Sequence, residues 1–320
     1  MKPLDHVAQR IEELRARFAI KGVVDVEAGR GSLPSLVIHN EHASTVLYLH
    51  GAHLTHYQPK GRGPLLWLSD WSWFEDGKPI RGGVPICWPW FAAHATDPNL
   101  PPHGFVRLVE WQLTNVLQLP DGRTHIELVL SDEDVRNSTV ASSLKAFPHS
   151  FSLRFSVTVG ACLEMALAVG NRSENAFSFE EALHTYLSVG NVGDARVRGL
   201  GGMQYLDKTQ SMKVCKQEAD ELLFEGETDR VYVGSKAVCE LVDHSLSRAI
   251  EVSKAGSATT VIWNPHKQKA KAMPDFGEKE WRGMVCVETA NVGSEAVRLD
   301  AGAEHTIRAV LRYADARFGS

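Results

Sequence analysis

A single carboxylate, Glu288, interrupts the apolar run MVCVETANV. Side chains alternate between the two faces of a strand, so Met284, Cys286 and Glu288 are predicted to share one face. Either face of this run would bury a charge beside apolar neighbours, which is costly unless the charge has a partner. Glu288 is therefore an edge residue facing water, one half of an ion pair, or a base held ready for proton transfer.

A histidine, His184, lies in a second apolar run, EEALHTYLSVG. In an extended chain Ala182, His184 and Tyr186 share one face, so the imidazole lies between an alanine and a tyrosine side chain. A lone histidine of this kind is more often a satisfied core or edge group than a catalytic one. A role for His184 in proton transfer therefore depends on whether Glu288 lies beside it, which requires the two runs to meet in space.

Two arginines and a histidine lie in segments rich in glycine, proline and tryptophan. IRGGVPICWPWF contains Arg81, and LPPHGFVR contains His103 and Arg107. An isolated arginine is usually a surface charge. Here Gly82 and Gly83 permit close approach of the backbone after Arg81, and a planar guanidinium matches the oxygens of a phosphate. These cations are therefore candidates for holding an anionic ligand.

The run HGAHLTH carries His50, His53 and His56 at steps of three. On a strand such steps alternate between faces, so His50 and His56 can converge while His53 points away. A helix would bring the histidines together better, but the glycine and the β-rich surroundings argue against one. We therefore predict no metal site here. The sequence also contains no P-loop, GxGxxG, GxSxG or HExxH pattern.

The elements that must position these residues are predicted to be strands. FSLRFSVTV and LEMALAV, separated by a turn at Gly160, alternate apolar with polar residues as a hairpin with one buried face does. Similar short runs fill most of the chain. Helical periodicity is confined to the N-terminus, where it predicts a helix over residues 1–20. The apolar positions of this helix are Leu4, Val7, Ile11, Leu14 and Phe18.

Many short strands without intervening helices favour an all-β fold, a large antiparallel β-sandwich, over a parallel α/β sheet. The segment from Trp67 to Trp111 departs from this pattern, because six of the eight tryptophans and many prolines and glycines interrupt it. We expect this long loop to be functional. No linker divides the chain, so we predict one domain over residues 1–320, with the sandwich at 24–318.

The composition is that of an ordinary globular protein, with 43% hydrophobic and 23% charged residues. The formal net charge of −5 gives no general attraction for nucleic acid or an anionic membrane, so an anionic ligand must be held by a few placed cations. The five cysteines contain no C-x-x-C pair and are predicted to be reduced thiols. The sequence shows no apolar signal or membrane segment, and we predict a cytoplasmic protein.

Six dispersed segments resemble, in the same order, motifs of the aldose 1-epimerase superfamily: IRGGVPICWPWF, LPPHGFVR, EEALHTYLSVGNV, TDRVY, VIWNP and MVCVETANV. Within it, the match is closest to the hexose-6-phosphate mutarotases, and it covers the chain from about Val24 onward. The resemblance implies a sandwich of the galactose-mutarotase type. It also implies an isomerase that interconverts the α and β anomers of a hexose 6-phosphate, with D-glucose 6-phosphate as the expected substrate.

The resemblance implies a general acid at His184 and a general base at Glu288. In such an enzyme the base removes the proton of the C1 hydroxyl while the acid protonates the ring oxygen O5. The opened aldehyde then turns, and the ring closes on its other face. This chemistry requires no metal and no redox cofactor, so we predict neither, and we expect a monomer.

The family's substrate contacts also have counterparts in this sequence. Its phosphosugar-binding arginines correspond to Arg81 and Arg107, and an aspartate before Arg-Val-Tyr corresponds to Asp229. His103 is implied as a contact to a hydroxyl or to the ring oxygen. One departure is that some relatives carry glutamine just before this histidine, whereas Pro102 stands here. The amide contact is therefore lost or supplied elsewhere.

Tryptophans are candidates for stacking on the sugar, with Trp88, Trp90 and Trp263 as the expected ones, although core packing is the commoner role of any one tryptophan. Two other functions remain open from the sequence, a noncatalytic carbohydrate-binding protein and an aldose 1-epimerase of unphosphorylated sugars. Binding alone needs no acid–base pair, and a neutral sugar needs no cations. A phosphosugar isomerase that moves a carbonyl from C1 to C2 is a weaker alternative.

Overall fold

The structure, a computed structural model, describes residues 3–314 and the side chains of residues 7–314. Helix α1 spans Pro3–Phe18, in agreement with the predicted N-terminal helix. Its apolar stripe is buried at Ile11, Leu14 and Phe18, which join the main core. The side chain of Leu4, predicted to be part of the apolar stripe, lies outside the described part of the chain, as do residues 315–318 of the predicted sandwich.

Strands dominate the rest of the described chain. In chain order they are β1 Val24–Ala28, β2 Pro34–His39, β3 Ala43–Tyr48, β4 His53–Pro59, β5 Ile86–Cys87, β6 Gln112–Gln118, β7 Thr124–Ser131, β8 Phe151–Val159, β9 Leu163–Asn171, β10 Phe177–Phe179, β11 Glu181–Leu183, β12 Tyr186–Ser188, β13 Ala195–Arg198, β14 Gln204–Asp207, β15 Lys213–Lys216, β16 Glu221–Leu223, β17 Thr228–Val233, β18 Cys239–Asp243, β19 Arg248–Ala255, β20 Thr259–Asn264, β21 Met284–Asn291, β22 Val297–Leu299 and β23 Glu304–Ala314. Two short helices, α2 Asp132–Arg136 and α3 His266–Ala272, interrupt them.

Two large antiparallel sheets form the fold, which confirms the all-β prediction. One sheet has the order β16-β13-β18-β19-β23-β9-β8-β7-β6, and the other has the order β15-β14-β17-β20-β21-β11-β5, with β12 also paired to β21. A four-stranded sheet, β1 to β4, and the pair β10-β22 complete the described strands. The predicted hairpin is β8 with β9. Apolar side chains of both large sheets meet in one core cluster.

The long aromatic segment has little regular structure, as predicted, with only β5 and a 3₁₀ turn at Val106–Leu108. Backbone hydrogen bonds of Gly83 connect this segment to β12 and to the chain at Trp67. Gly83 donates its N–H to the Trp67 carbonyl, and its own carbonyl accepts from the Tyr186 N–H. Gly83 has a φ of +61°, and a Cβ there would lie 2.0 Å from the Leu54 carbonyl oxygen.

We expect Gly83→Ala to destabilise the protein strongly. The left-handed backbone costs a side chain about 1 kcal/mol, and the clash with Leu54 adds about 1–3 kcal/mol. Gly61→Ala is the matched control, because Gly61 has a φ of +72° but nothing within 4 Å of its added Cβ. Denaturant unfolding of both variants measures the difference. Equal losses of stability would show that the Gly83 site relaxes around a methyl group.

A buried polar network ties β11 to β21 and β23. The Glu181 carboxylate accepts a hydrogen bond from the Asn291 amide at 2.8 Å and forms an ion pair with His305 Nε2 at 2.9 Å. Glu181 is fully buried, and burial raises the pKa of its carboxyl group. The hydrogen bond to Glu181 raises the pKa of His305 above its ordinary value. The network therefore stabilises the folded protein when His305 is protonated.

Since the pKa of His305 is raised on folding, its contribution to stability is fully present below its unfolded pKa and is lost as the pH rises through its folded pKa. We expect His305→Gln to cost about 1 kcal/mol more at pH 6 than at pH 9. Urea unfolding of wild type and variant at both pH values measures this difference. A cost that is the same at both pH values would contradict a charged pair.

Candidate active site

The sheet register brings His184 opposite Glu288. Strand β11 pairs Leu183 with Thr289, and β12 pairs Tyr186 with Cys286, both against β21. One step from the first pair, or two steps from the second, places His184 in register with Glu288. The ladder is interrupted between β11 and β12, where Val287 donates its N–H to the Thr185 carbonyl. Two residues 104 positions apart in the chain thus become neighbours across adjacent strands.

Glu288 is neither at an edge nor in water. Strand β21 lies between β20 on one side and β11 and β12 on the other, and all eight of its residues are buried. His184 Nε2 lies 3.3 Å from Glu288 Oε1, and the two side chains are 8% and 1% exposed. Neither Glu288 oxygen nor His184 Nδ1 has a hydrogen-bond partner in the structure. Both groups are therefore free to accept or donate protons to a molecule in the adjoining cavity.

Burial shifts both groups towards their uncharged forms. Desolvation, together with the negative charge of Asp229, raises the pKa of Glu288 well above its ordinary value. Desolvation and the positive charges of Arg107 and Arg81 hold the pKa of His184 well below its ordinary value. With both charged forms disfavoured, a single proton shared by the pair can pass between His184 Nε2 and Glu288 Oε1, which lie 3.3 Å apart.

A cavity of about 180 Å³ opens over this pair. The residues that line it are Arg81, Phe91, His103, His184, Lys208, Asp229, Trp263, Lys269, Met273 and Glu288. A wider groove of about 560 Å³ along β7 and β8 has no histidine in its lining and no buried acid–base pair. The cavity over Glu288 is therefore the candidate active site.

Arg81 lines the cavity, but its charge is already matched. Its guanidinium donates to both Asp275 oxygens, at 3.1 and 3.3 Å, and to the Tyr186 hydroxyl at 3.1 Å. Although burial opposes the charged form, Tyr186 and Asp275 raise the pKa of Arg81 above its ordinary value. The loop that carries it is pinned by His53 Nε2, 2.7 Å from the Gly82 carbonyl oxygen. Arg81 is a fixed, paired cation at the cavity wall.

Arg107 and His103 take different places. His103 lines the cavity, and its Nδ1 accepts the Ala92 N–H and contacts Cys87 Sγ at 3.5 Å. Arg107 does not line the cavity. It is 5% exposed, donates to the Pro102 carbonyl at 2.7 Å, and leaves Nε without a partner. The structure thus brings His103 into the site and places Arg107 behind its wall.

Two lysines that were not predicted from the sequence line the cavity. Lys208, in the 3₁₀ turn after β14, has its Nζ 3.3 Å from Asp229 Oδ2, and Lys269, on α3, has its Nζ 3.9 Å from the same oxygen. Lys269 also contacts Glu227 at 2.8 Å. Burial raises the pKa of Asp229, although both lysines oppose the shift. Asp229 therefore holds two ammonium groups at the cavity.

The three tryptophans considered as sugar-stacking candidates occupy different places in the fold. Trp263 lines the cavity, with its ring 5.9 Å from the His184 ring. Trp88 is fully buried among four phenylalanine rings, and Trp90 packs on Phe105, so both belong to the core. Trp88 is enclosed by aromatic rings, and Trp90 also packs on His94 and donates its N–H to the Pro101 carbonyl, so neither indole faces the cavity lining.

The three histidines of HGAHLTH do not converge. His50 Nε2 lies 2.8 Å from the Lys78 carbonyl oxygen, His53 bonds to Gly82, and His56 contacts the Ser44 hydroxyl at 3.4 Å. Burial lowers the pKa of His53 to about 3, so it is a neutral hydrogen-bond donor. Each of the three histidines therefore has its own hydrogen-bonding partner within the fold. Among residues 3–314, no helix has both the length and the apolar character needed to cross a bilayer.

The arrangement has the parts for proton transfer on a polar ligand. A buried histidine and carboxylate lie side by side, Trp263 and Phe91 offer apolar surfaces, and Arg81, Lys208 and Lys269 supply positive charge. Proton transfer to and from an oxygen of a bound molecule requires such a pair within reach of the ligand.

Comparison with known proteins gives a consistent result. The family model described as aldose 1-epimerase matches residues 34–312. Relatives from Cenchrus ciliaris and Escherichia coli K12, both named "Putative glucose-6-phosphate 1-epimerase", are 35% and 34% identical, over 83% and 81% of this chain and 80% and 83% of theirs. A crystal structure of YeaD from Salmonella typhimurium, described as a "putative mutarotase", superposes with a TM-score of 0.83 at 29% identity, covering 97% of this chain and 99% of that one.

Proposed function

Because the chain belongs to the aldose 1-epimerase family, and is therefore an isomerase of the epimerase class, we propose that it interconverts the α and β anomers of a hexose 6-phosphate. D-Glucose 6-phosphate is the substrate we expect, in line with the names of the curated relatives. The observation that carries the proposal is the buried pair of His184 and Glu288, 3.3 Å apart, at a cavity lined by three cationic side chains.

In the proposed reaction the C1 hydroxyl and the ring oxygen O5 lie over the pair. Glu288 removes the hydroxyl proton while His184 protonates O5, and the C1–O5 bond breaks. This requires the single proton of the pair to reside on His184 when the cyclic sugar is bound. Transfer from Glu288 supplies it, and ring closure on the other face of the aldehyde runs the same two transfers in reverse.

The phosphate is proposed to bind at the lysine side of the cavity. Arg81 has its guanidinium occupied by Asp275 and Tyr186, and Arg107 lies outside the lining. Each ammonium of Lys208 and Lys269 has three donors, so contact with Asp229 leaves donors for phosphate oxygens. The positive charge of Arg81, in the lining of the cavity, adds to the attraction of the two lysines for the phosphate. Asp229 is assigned to holding the lysines and accepting from a sugar hydroxyl.

Exchange NMR between the anomers tests the function. Saturation is transferred between the C1 protons of the two anomers of glucose 6-phosphate, and in parallel of glucose, with and without protein. We expect acceleration well above the buffer rate for glucose 6-phosphate and a much smaller effect for glucose. Acceleration of glucose alone would overturn the phosphate assignment, and no acceleration of either sugar would leave a carbohydrate-binding protein. Retention of a deuterium label at C2 during turnover excludes carbonyl transfer to C2.

We also propose that the chain forms a single domain and that it is active as a monomer. All the cavity residues come from this chain, and they span from Arg81 in the aromatic loop to Glu288 in the central sheet. All five cysteines are free thiols, which suits the reducing cytoplasm in which we expect the protein. Sedimentation at enzyme concentrations used for the exchange assay tests the monomer.

A further inference from the structure

A cysteine lies beside the proposed acid–base pair, and the reaction gives it no role. Cys286 is two residues before Glu288 on β21 and therefore shares its face. It is paired in register with Tyr186, the residue two positions after His184. One donor atom from each of His184, Cys286 and Glu288 lies within 4.8 Å of the other two. An imidazole, a thiol and a carboxylate thus converge from two adjacent strands.

Two of these three side chains have buried polar atoms without a hydrogen-bond partner. Both oxygens of Glu288 and Nδ1 of His184 are buried without a hydrogen bond. Burial, followed by the nearby Glu288 charge, raises the pKa of Cys286 well above its ordinary value. Burial therefore disfavours the negative forms of both the thiol and the carboxyl group. The nearby cations Arg81 and Lys208 are paired with Asp275 and Asp229.

We propose that His184, Cys286 and Glu288 form a binding site for a borderline divalent cation such as Zn²⁺, and that its occupancy blocks the acid–base pair. Zn²⁺ is held tetrahedrally by nitrogen, sulfur and carboxylate oxygen at about 2.0–2.3 Å. Ligand atoms around such an ion lie about 3.3–3.7 Å apart, so donors up to 4.8 Å apart must approach one another by up to about 1.5 Å. The cavity over the pair leaves the fourth position to water or to a ligand.

The charges balance in this site. The cation binds one thiolate, one carboxylate and one neutral imidazole, so the buried cluster is uncharged overall. Binding releases the thiol proton and the carboxyl proton, and no electron is transferred. A hard cation such as Mg²⁺ prefers oxygen ligands and fits this set poorly. The ligand class is therefore a thiophilic or borderline transition metal acting as an inhibitor.

Cobalt spectroscopy tests the site without turnover. The parent protein carries Cys162→Ser and Cys215→Ser, because those two thiols are partly exposed. Co²⁺ is titrated into the parent, into the parent with Cys286→Ala, and into the parent with Cys239→Ala, which removes a buried thiol of the other large sheet. We expect a thiolate-to-cobalt charge-transfer band in the parent and in the Cys239→Ala variant, and its loss with Cys286→Ala. No band in the parent, or an equal band with Cys286→Ala, would overturn the site.

The blocking role rests on the proposed function and has its own readout. Zn²⁺ is titrated into the anomer-exchange assay, and each variant is compared with its own metal-free rate. Loss of one ligand is expected to weaken inhibition by at least about tenfold, so Cys286→Ala should require that much more Zn²⁺ than the parent. Equal sensitivity of the two would overturn the blocking role. If the metal-free protein shows no exchange at all, the function fails, and the cobalt band still decides the site.

Discussion

Glu288→Gln lowers the enzyme-catalysed anomer exchange of glucose 6-phosphate by about 10²- to 10⁴-fold, to near the buffer rate. The amide keeps the size of the side chain but cannot take the C1 hydroxyl proton, and a positioned proton transfer contributes rate factors of this order. His184→Asn, which removes the group proposed to protonate O5, is expected to produce a loss of the same order. Exchange NMR at saturating substrate measures both variants.

Thr289→Val is the matched control for these variants. Thr289 is the next residue of β21, is 1% exposed, and has a hydroxyl without a hydrogen-bond partner. Its side chain lies on the opposite face of the strand from Glu288, so the substitution tests disturbance of β21 without touching the cavity. Activity of the Glu288→Gln variant that matched the activity of Thr289→Val would remove Glu288 from the reaction.

Lys208→Met and Lys269→Met each reduce the preference for glucose 6-phosphate over glucose by about 10- to 100-fold. A hydrogen bond to a charged group contributes about 1.5–3 kcal/mol, and methionine keeps the apolar stem while removing the ammonium. The effect is expected in KM for the phosphate ester, because the phosphate is held away from the bonds that change. The ratio of kcat/KM for the two sugars measures it.

Lys271→Met provides the comparison for the lysines. Lys271 lies on the same helix, α3, two residues after Lys269, but it is exposed and absent from the cavity lining. We expect its sugar preference to match wild type. If Arg81→Ala abolished the preference while both cavity lysines could be replaced without effect, the phosphate would be assigned to Arg81 instead.

The alternation of apolar and polar side chains predicts which strand face carries His184 and which carries Glu288. It does not predict that the two residues contact each other. Each face follows from period two, a local property of a strand. Their contact depends on β11 and β12 both pairing with β21, and pairing over 104 positions leaves no local signal. The resemblance to a family supplied that link, because it assigned both residues to one reaction.

The positions of the cations at the cavity could not be predicted from the sequence. Arg81 and Arg107 were singled out by their glycine- and proline-rich surroundings, yet one is bonded to Asp275 and the other lies behind the cavity wall. Lys208 stands in an ordinary polar turn, and Lys269 in HKQKAKA reads as a solvated basic helix. Only the fold shows that both reach Asp229. The nearest signal in the sequence was Asp229 itself, a carboxylate opening the apolar run DRVYV.

The proposed acid–base pair and the two cavity lysines lie on different kinds of structure. Glu288 lies on β21 and His184 lies between β11 and β12, which both pair with β21, while the lysines lie on the turn after β14 and on the short helix α3 after β20. A change of sugar selectivity therefore requires new residues only where the chain tolerates replacement and length variation. Sequence changes confined to the turn and the helix are therefore expected to alter which sugars bind while leaving the proposed acid–base pair unchanged.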